Sequence, residues 1–82
     1  IANRTFDHAE QMAKTFRCTA LPWDKRHTVT PTVLVNSTPV GMHPNVDETP
    51  FDKHHLRPGS IVFDAVYNPE NTILVKDARE RS

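Results

Sequence analysis

Eighty-two residues allow one small domain with a marginal core, because a chain this short buries only about 60% of its unfolded surface. Ten basic and ten acidic side chains cancel, so no net charge draws the chain to nucleic acid or an anionic membrane, and no apolar run reaches the roughly 18 residues of a membrane span. A hydrophobic content of 37% against 24% charged residues excludes a disordered tail, and the single Cys18 excludes an internal disulfide, which makes the cytoplasm the default compartment.

The chain opens on two apolar residues, Ile1-Ala2, followed by Asn3-Arg4-Thr5, which reads as the end of a strand and a turn. Phe6, Ala9, Met12, Ala13 and Phe16 then recur at helical spacing and predict a helix over 6–16 with these residues on its core face. Thr5 suits the N-cap, Asp7 the positive first turn and Arg17 the negative end. Residues 18–21, Cys-Thr-Ala-Leu, predict a short strand with a buried, inert thiol at Cys18. The polar, proline-bounded stretch 22–31 predicts a loop with a turn of helix, in which Trp23 covers the sheet edge. Thr32–Asn36 is a β-branched, apolar run of the kind buried on both faces in a parallel sheet. Pro39, Gly41, Pro44 and Pro50 punctuate a long loop, and 51–56 predicts a turn of helix. A second buried-type strand is expected over 60–67, then a helix with Pro69 in its first turn and Ile73, Leu74 and Ala78 facing inward. Strands alternating with helices point to an α/β fold with a parallel sheet.

Three polar clusters follow three strand-like runs, and ligands of open α/β sheets bind outside the carboxyl ends of the strands. The first is Asn3-Arg4-Thr5. Arg4 offers a planar fork to a phosphate and no carboxylate stands at this turn, although the same residues also read as a solvated arginine and a plain N-cap. The second is "NSTPVGM", Asn36–Met42, where Gly41 permits close approach; an ordinary proline-glycine loop is the other reading. The third is "FDAVYNP", Phe63–Pro69, in which Tyr67 either donates to a ligand carboxylate or caps the core with its hydroxyl in water. Asp64 reads as a carboxylate that satisfies backbone groups. The adjacent His54 and His55 diverge on any regular element, so no metal site is expected.

Taken together, "NRT", "NSTPVGM" and "FDAVYNPENTILVKDA" resemble the nucleotide-binding domain of the shikimate dehydrogenases, and "GMHPNVDETP" resembles the shikimate dehydrogenase half of the bifunctional dehydroquinate dehydratase–shikimate dehydrogenases. The resemblance runs the length of the chain. It implies a doubly wound, Rossmann-type parallel sheet with flanking helices, NADP as coenzyme, and hydride transfer between NADPH and 3-dehydroshikimate to give shikimate. By resemblance, Asn3, Arg4 and Thr5 hold the adenosine 2′-phosphate, with His8 as a weaker, pH-dependent neighbour. Ser37, Thr38 and Val40 line the coenzyme on its nicotinamide side, Ala65 lies by the nicotinamide, and Tyr67 approaches the substrate carboxylate.

The same resemblance implies that Ile1 falls late in the second strand of the fold. The first strand, its Gly-rich loop, the catalytic Lys-Asp pair and a substrate-binding Gln are then expected outside these residues. On this reading the 82 residues are a partial NADP-binding domain, inactive and prone to self-association when alone. Two rivals stand beside it. An NAD-preferring quinate/shikimate dehydrogenase would need an acidic residue at the second-strand turn, which the chain lacks, and a regulatory domain that kept the fold would have lost the Lys-Asp pair.

Overall fold

Two short strands open the structure on either side of a helix: β1 (Ala2–Asn3), α1 (Phe6–Phe16) and β2 (Leu21–Pro22). In the computed structural model, which describes residues 1–81, β1 and β2 pair parallel, with Ala2 opposite Leu21 and Asn3 opposite Pro22. The helical pattern forms its helix at the expected bounds, but only the two alanines Ala9 and Ala13 are buried. Phe6, Met12 and Phe16 were expected on the core face and are 39%, 50% and 70% exposed. Two-residue strands span only about 7 Å, too narrow a platform to cover large side chains on the helix flank.

The helix ends at Arg17 in the left-handed region, φ 55°, and the Cys18 N–H closes a Schellman-type bond of 2.9 Å to the Ala13 carbonyl. Residues 17 and 18 are consumed by that closure. The strand expected at 18–21 is therefore displaced to Leu21–Pro22, and Cys18 is an exposed free thiol rather than a buried one.

A 3-10 helix, Trp23–Thr28, leads to β3 (Val33–Asn36). A second 3-10 turn at Lys53–His55 precedes β4 (Ile61–Asp64), and α2 (Ile73–Arg81) follows. β3 and β4 pair parallel in the register Val33–Ile61, Leu34–Val62, Val35–Phe63 and Asn36–Asp64. Leu34 and Val62 pack on a core of Phe51, Leu56 and Leu74. The opposite face carries Val33, Val35, Ile61 and Phe63 at 55–63% exposure. Both runs were expected to be buried on two faces; among the described residues only one face is covered, because α2 and the loop before β4 lie on the same side.

α2 starts at Ile73, later than the proline expected in its first turn. Thr72 is the reason. Its hydroxyl accepts from the Val75 N–H at 3.3 Å as an N-cap does and donates to Asp64 Oδ2 at 2.8 Å, which ties the helix start to the end of β4. Leu74 is then fully buried, with Ile73 and Ala78 half-buried.

The described residues thus form two parallel two-stranded sheets, each with its own helix. Between the sheets lies an apolar cleft of about 360 Å³, walled by Leu21 and Trp23 on one side and by Leu34, Val35 and Phe51 on the other.

Candidate functional site

The turn after β1 is shaped by its own side chains. Asn3 Oδ1 accepts the Thr5 N–H at 2.8 Å, an Asx-type turn that carries the chain from strand to helix. Thr5 takes the N-cap position with extended backbone, and its carbonyl accepts from His8 N at 3.0 Å, but its hydroxyl makes no capping bond. Arg4 is exposed and has no ion-pair partner among the described residues. Its guanidinium stands over the Trp23 ring, 5.9 Å from the centroid. The turn therefore presents an unneutralised planar cation and a free hydroxyl beside the positive end of a helix.

The second and third clusters are built on a single network. Parallel register sets Asn36 beside Asp64 at the carboxyl ends of β3 and β4. Asn36 is 4% exposed; its amide nitrogen donates to Asp64 Oδ1 at 3.1 Å and to the Val40 carbonyl at 3.2 Å. Its oxygen accepts from the Thr38 N–H at 3.0 Å and from the Thr38 hydroxyl at 2.6 Å. Asp64 also accepts from the Val66 N–H at 2.9 Å and from Thr72, so it satisfies backbone and hydroxyl donors as expected of it. The Ala65 N–H donates to the Asn36 carbonyl and the His43 N–H to the Asn68 carbonyl, which locks the two loops together. Gly41, at φ +94°, is required here: a Cβ would stand 3.1 Å from the Glu48 carbonyl oxygen in a region L side chains rarely adopt.

These two constructions meet in a cavity of about 310 Å³. It brings together Asn3, Arg4 and His8 from the first turn and helix with Ser37, Thr38 and Val40 from the loop after β3. Among the described residues, no Asp or Glu lines it. Thr5 sits at the helix start next to this cavity without lining it. Ala65 and Tyr67 are not brought into it either; both lie exposed after β4, Tyr67 at 87%. The cavity offers a guanidinium, an imidazole, an amide and hydroxyls with no competing carboxylate, a donor set suited to an anion carried on a sugar.

Sequence reasoning gave no role to several contributors. Asn36 and Thr72 organise the site from buried positions, and the signal available for the first was that each strand-like run ends on a polar residue, Asn36 and Asp64. The pairing of Arg26 with Trp23 was not legible, because it depends on how the 3-10 helix folds. Nor was the position of His27, whose Nε2 accepts the Asp52 N–H from 25 residues away at 2.9 Å.

No family model matches the chain. Individual proteins do. It is 43% identical, over 98% of its length, to the chloroplastic bifunctional 3-dehydroquinate dehydratase/shikimate dehydrogenase of Arabidopsis thaliana. It is 33% identical, over 99% of its length, to the NADP(+) shikimate dehydrogenase of Caldicellulosiruptor bescii. The chain is a shikimate dehydrogenase homologue. It spans 14% and 30% of those two relatives, respectively.

Solved structures agree. A shikimate dehydrogenase in complex with NADP+ superposes at a TM-score of 0.73 and 31% identity, covering 99% of this chain and 32% of that one. A chorismate mutase/shikimate 5-dehydrogenase fusion protein from Clostridium acetobutylicum gives 0.73 at 28% identity, covering 98% and 29%. The fold class is the α/β, Rossmann-like architecture of the shikimate dehydrogenases, with the two parallel pairs and their helices as the part present here.

Proposed function

We propose that these residues are the coenzyme-binding part of an NADP-dependent shikimate dehydrogenase that interconverts 3-dehydroshikimate and shikimate. The observation that carries the reading is the cavity that joins Arg4 to Ser37 and Thr38 with no carboxylate in its lining. An acidic side chain there would accept hydrogen bonds from a free ribose 2′-hydroxyl and repel a 2′-phosphate. Arg4 does the reverse: it supplies paired N–H donors in the geometry of a phosphate. Asn3 holds the turn that aims it, the Thr5 hydroxyl and the helix start add donors, and His8 adds an imidazole to the same cavity.

NADP, when bound, supplies the hydride. The chain supplies orientation. Ser37, Thr38 and Val40 form the wall on the nicotinamide side, held by Asn36; Ala65 flanks the nicotinamide; and Tyr67, exposed after β4, reaches the substrate carboxylate. The parent enzyme provides the acid–base pair. The lone Cys18 fits a reducing compartment such as the cytoplasm.

Arg4→Ala in the parent enzyme tests the assignment. A charge-assisted hydrogen-bonded pair contributes about 1.5–3 kcal/mol, so the KM for NADP should rise tenfold or more while that for NAD hardly moves. Equal effects on the two coenzymes would remove Arg4 from the 2′-phosphate.

A further inference from the structure

Arg4 is not the only cation on the Trp23 indole. Arg26 lies over the same ring with its guanidinium carbon 4.2 Å from the centroid. Arg26 is itself anchored: Nη1 donates to the Trp23 carbonyl at 2.8 Å and Nε donates to the Pro50 carbonyl. Arg26 thereby ties the 3-10 helix to the loop before β4 with its guanidinium against the indole, and Arg4, exposed and without a carboxylate partner among the described residues, has the same ring as its neighbour. Bringing two guanidiniums to one indole has an electrostatic cost, and the Arg26 pKa is lowered by burial and then by Arg4. A doubly charged anion next to Arg4 would relieve that repulsion, and an indole face holds a guanidinium in place without neutralising it.

We infer that Trp23, clamped by Arg26, is the positioning residue for Arg4 and sets the preference for a coenzyme bearing an adenosine 2′-phosphate. The inference rests on the Arg4 reading above and adds to it the element that aims the side chain. Without the ring, Arg4 is a freely rotating surface arginine that must be ordered each time the phosphate binds. With the ring, it is partly ordered beforehand, and Arg26 adds a second positive field to the same corner.

The test is the ratio of the NADP to NAD dissociation constants in the full-length enzyme, for Trp23→Leu, Trp23→Phe and Arg4→Ala. Trp23→Leu should lower NADP selectivity about fivefold, through NADP alone, and Trp23→Phe should retain most of it because the aromatic face remains. A merely structural tryptophan would weaken both coenzymes together. Should Trp23→Leu not fold, Arg26→Gln decides, with an expected loss of about threefold in the same ratio. An unchanged ratio in these variants, with selectivity lost in Arg4→Ala, would overturn the role of Trp23 and leave that of Arg4 standing. An unchanged ratio in Arg4→Ala would overturn both.

Discussion

Four hydrogen bonds pass through the side chain of Asn36, and they fold the turn through Val40 onto the end of β3 and tie both to the end of β4, 28 residues away. Replacing it by Ala leaves the Thr38 N–H and the Val40 carbonyl short of a partner in a buried corner, while Asp64 keeps its bonds from Val66 and Thr72. Each such loss costs about 1–3 kcal/mol, so Asn36→Ala should destabilise the parent enzyme by about 2–4 kcal/mol and loosen the wall that Ser37 and Thr38 form. Thermal unfolding and the coenzyme KM together check this; an unchanged melting temperature would mean that the network is replaceable by water. At this scale the sequence was informative about chemistry and less so about arrangement. Asn3, Arg4, His8, Ser37, Thr38 and Val40 were legible as a set and do share a cavity. Thr5, Ala65 and Tyr67 belonged to the same set and lie outside its lining. A strand-end motif shows that a residue is near a cleft, but the direction of its side chain depends on the turn that follows.

Between elements, the 3-10 helix Trp23–Thr28 is tied to the segment 50–55 by two side chains, Arg26 and His27. Because His27 Nε2 accepts the Asp52 N–H, the ring is neutral with its proton on Nδ1. It also stacks on His55, 4.8 Å between centroids, and packs against Phe51. Burial first, then Arg26 and His55, hold its pKa below the ordinary value, with Asp52 opposing. A histidine with a depressed folded pKa stabilises the fold fully above the unfolded value of about 6.5 and loses that contribution as pH falls below it. Asp52, whose carboxylate is held low by hydrogen bonds from His54, acts in a separate window, with its contribution lost as pH falls below about 4. His27→Gln keeps an acceptor and does not titrate. It should therefore flatten the fall in melting temperature between about pH 6.5 and 5, and parallel curves for the two proteins would contradict this. The elements themselves were legible where periodicity is long, as in α1, and displaced where local capping competes. Arg17 in the left-handed region moved β2, and the Thr72 hydroxyl moved the start of α2. Both are side-chain or backbone closures that hydrophobic spacing does not encode.

Among the described residues, the parallel pairs β1–β2 and β3–β4 each keep both outer edges unpaired, and an apolar cleft separates them. The outer face of β3 and β4 adds four large apolar side chains more than half exposed. Unpaired strand edges recruit other chains, and a chain of this size has little stability to spare. The 82 residues made alone should therefore associate or exchange amide hydrogens quickly, as sedimentation and hydrogen exchange would report; a monomer with slow exchange through β3 and β4 would show that the two pairs are self-sufficient. The α/β class was readable from the alternation of strands and helices, whereas the division into two pairs follows only from the resemblance, which puts the first strand of the fold outside these residues. The central claim concerns the cavity between these units, where Arg4 and the loop after β3 face an anion-binding corner free of carboxylates. Its most direct test is the binding of adenosine 2′,5′-bisphosphate against adenosine 5′-monophosphate to the parent enzyme, measured by calorimetry at one salt concentration. The bisphosphate is expected to bind at least tenfold tighter through its 2′-phosphate. Equal affinity for the two nucleotides would contradict the account.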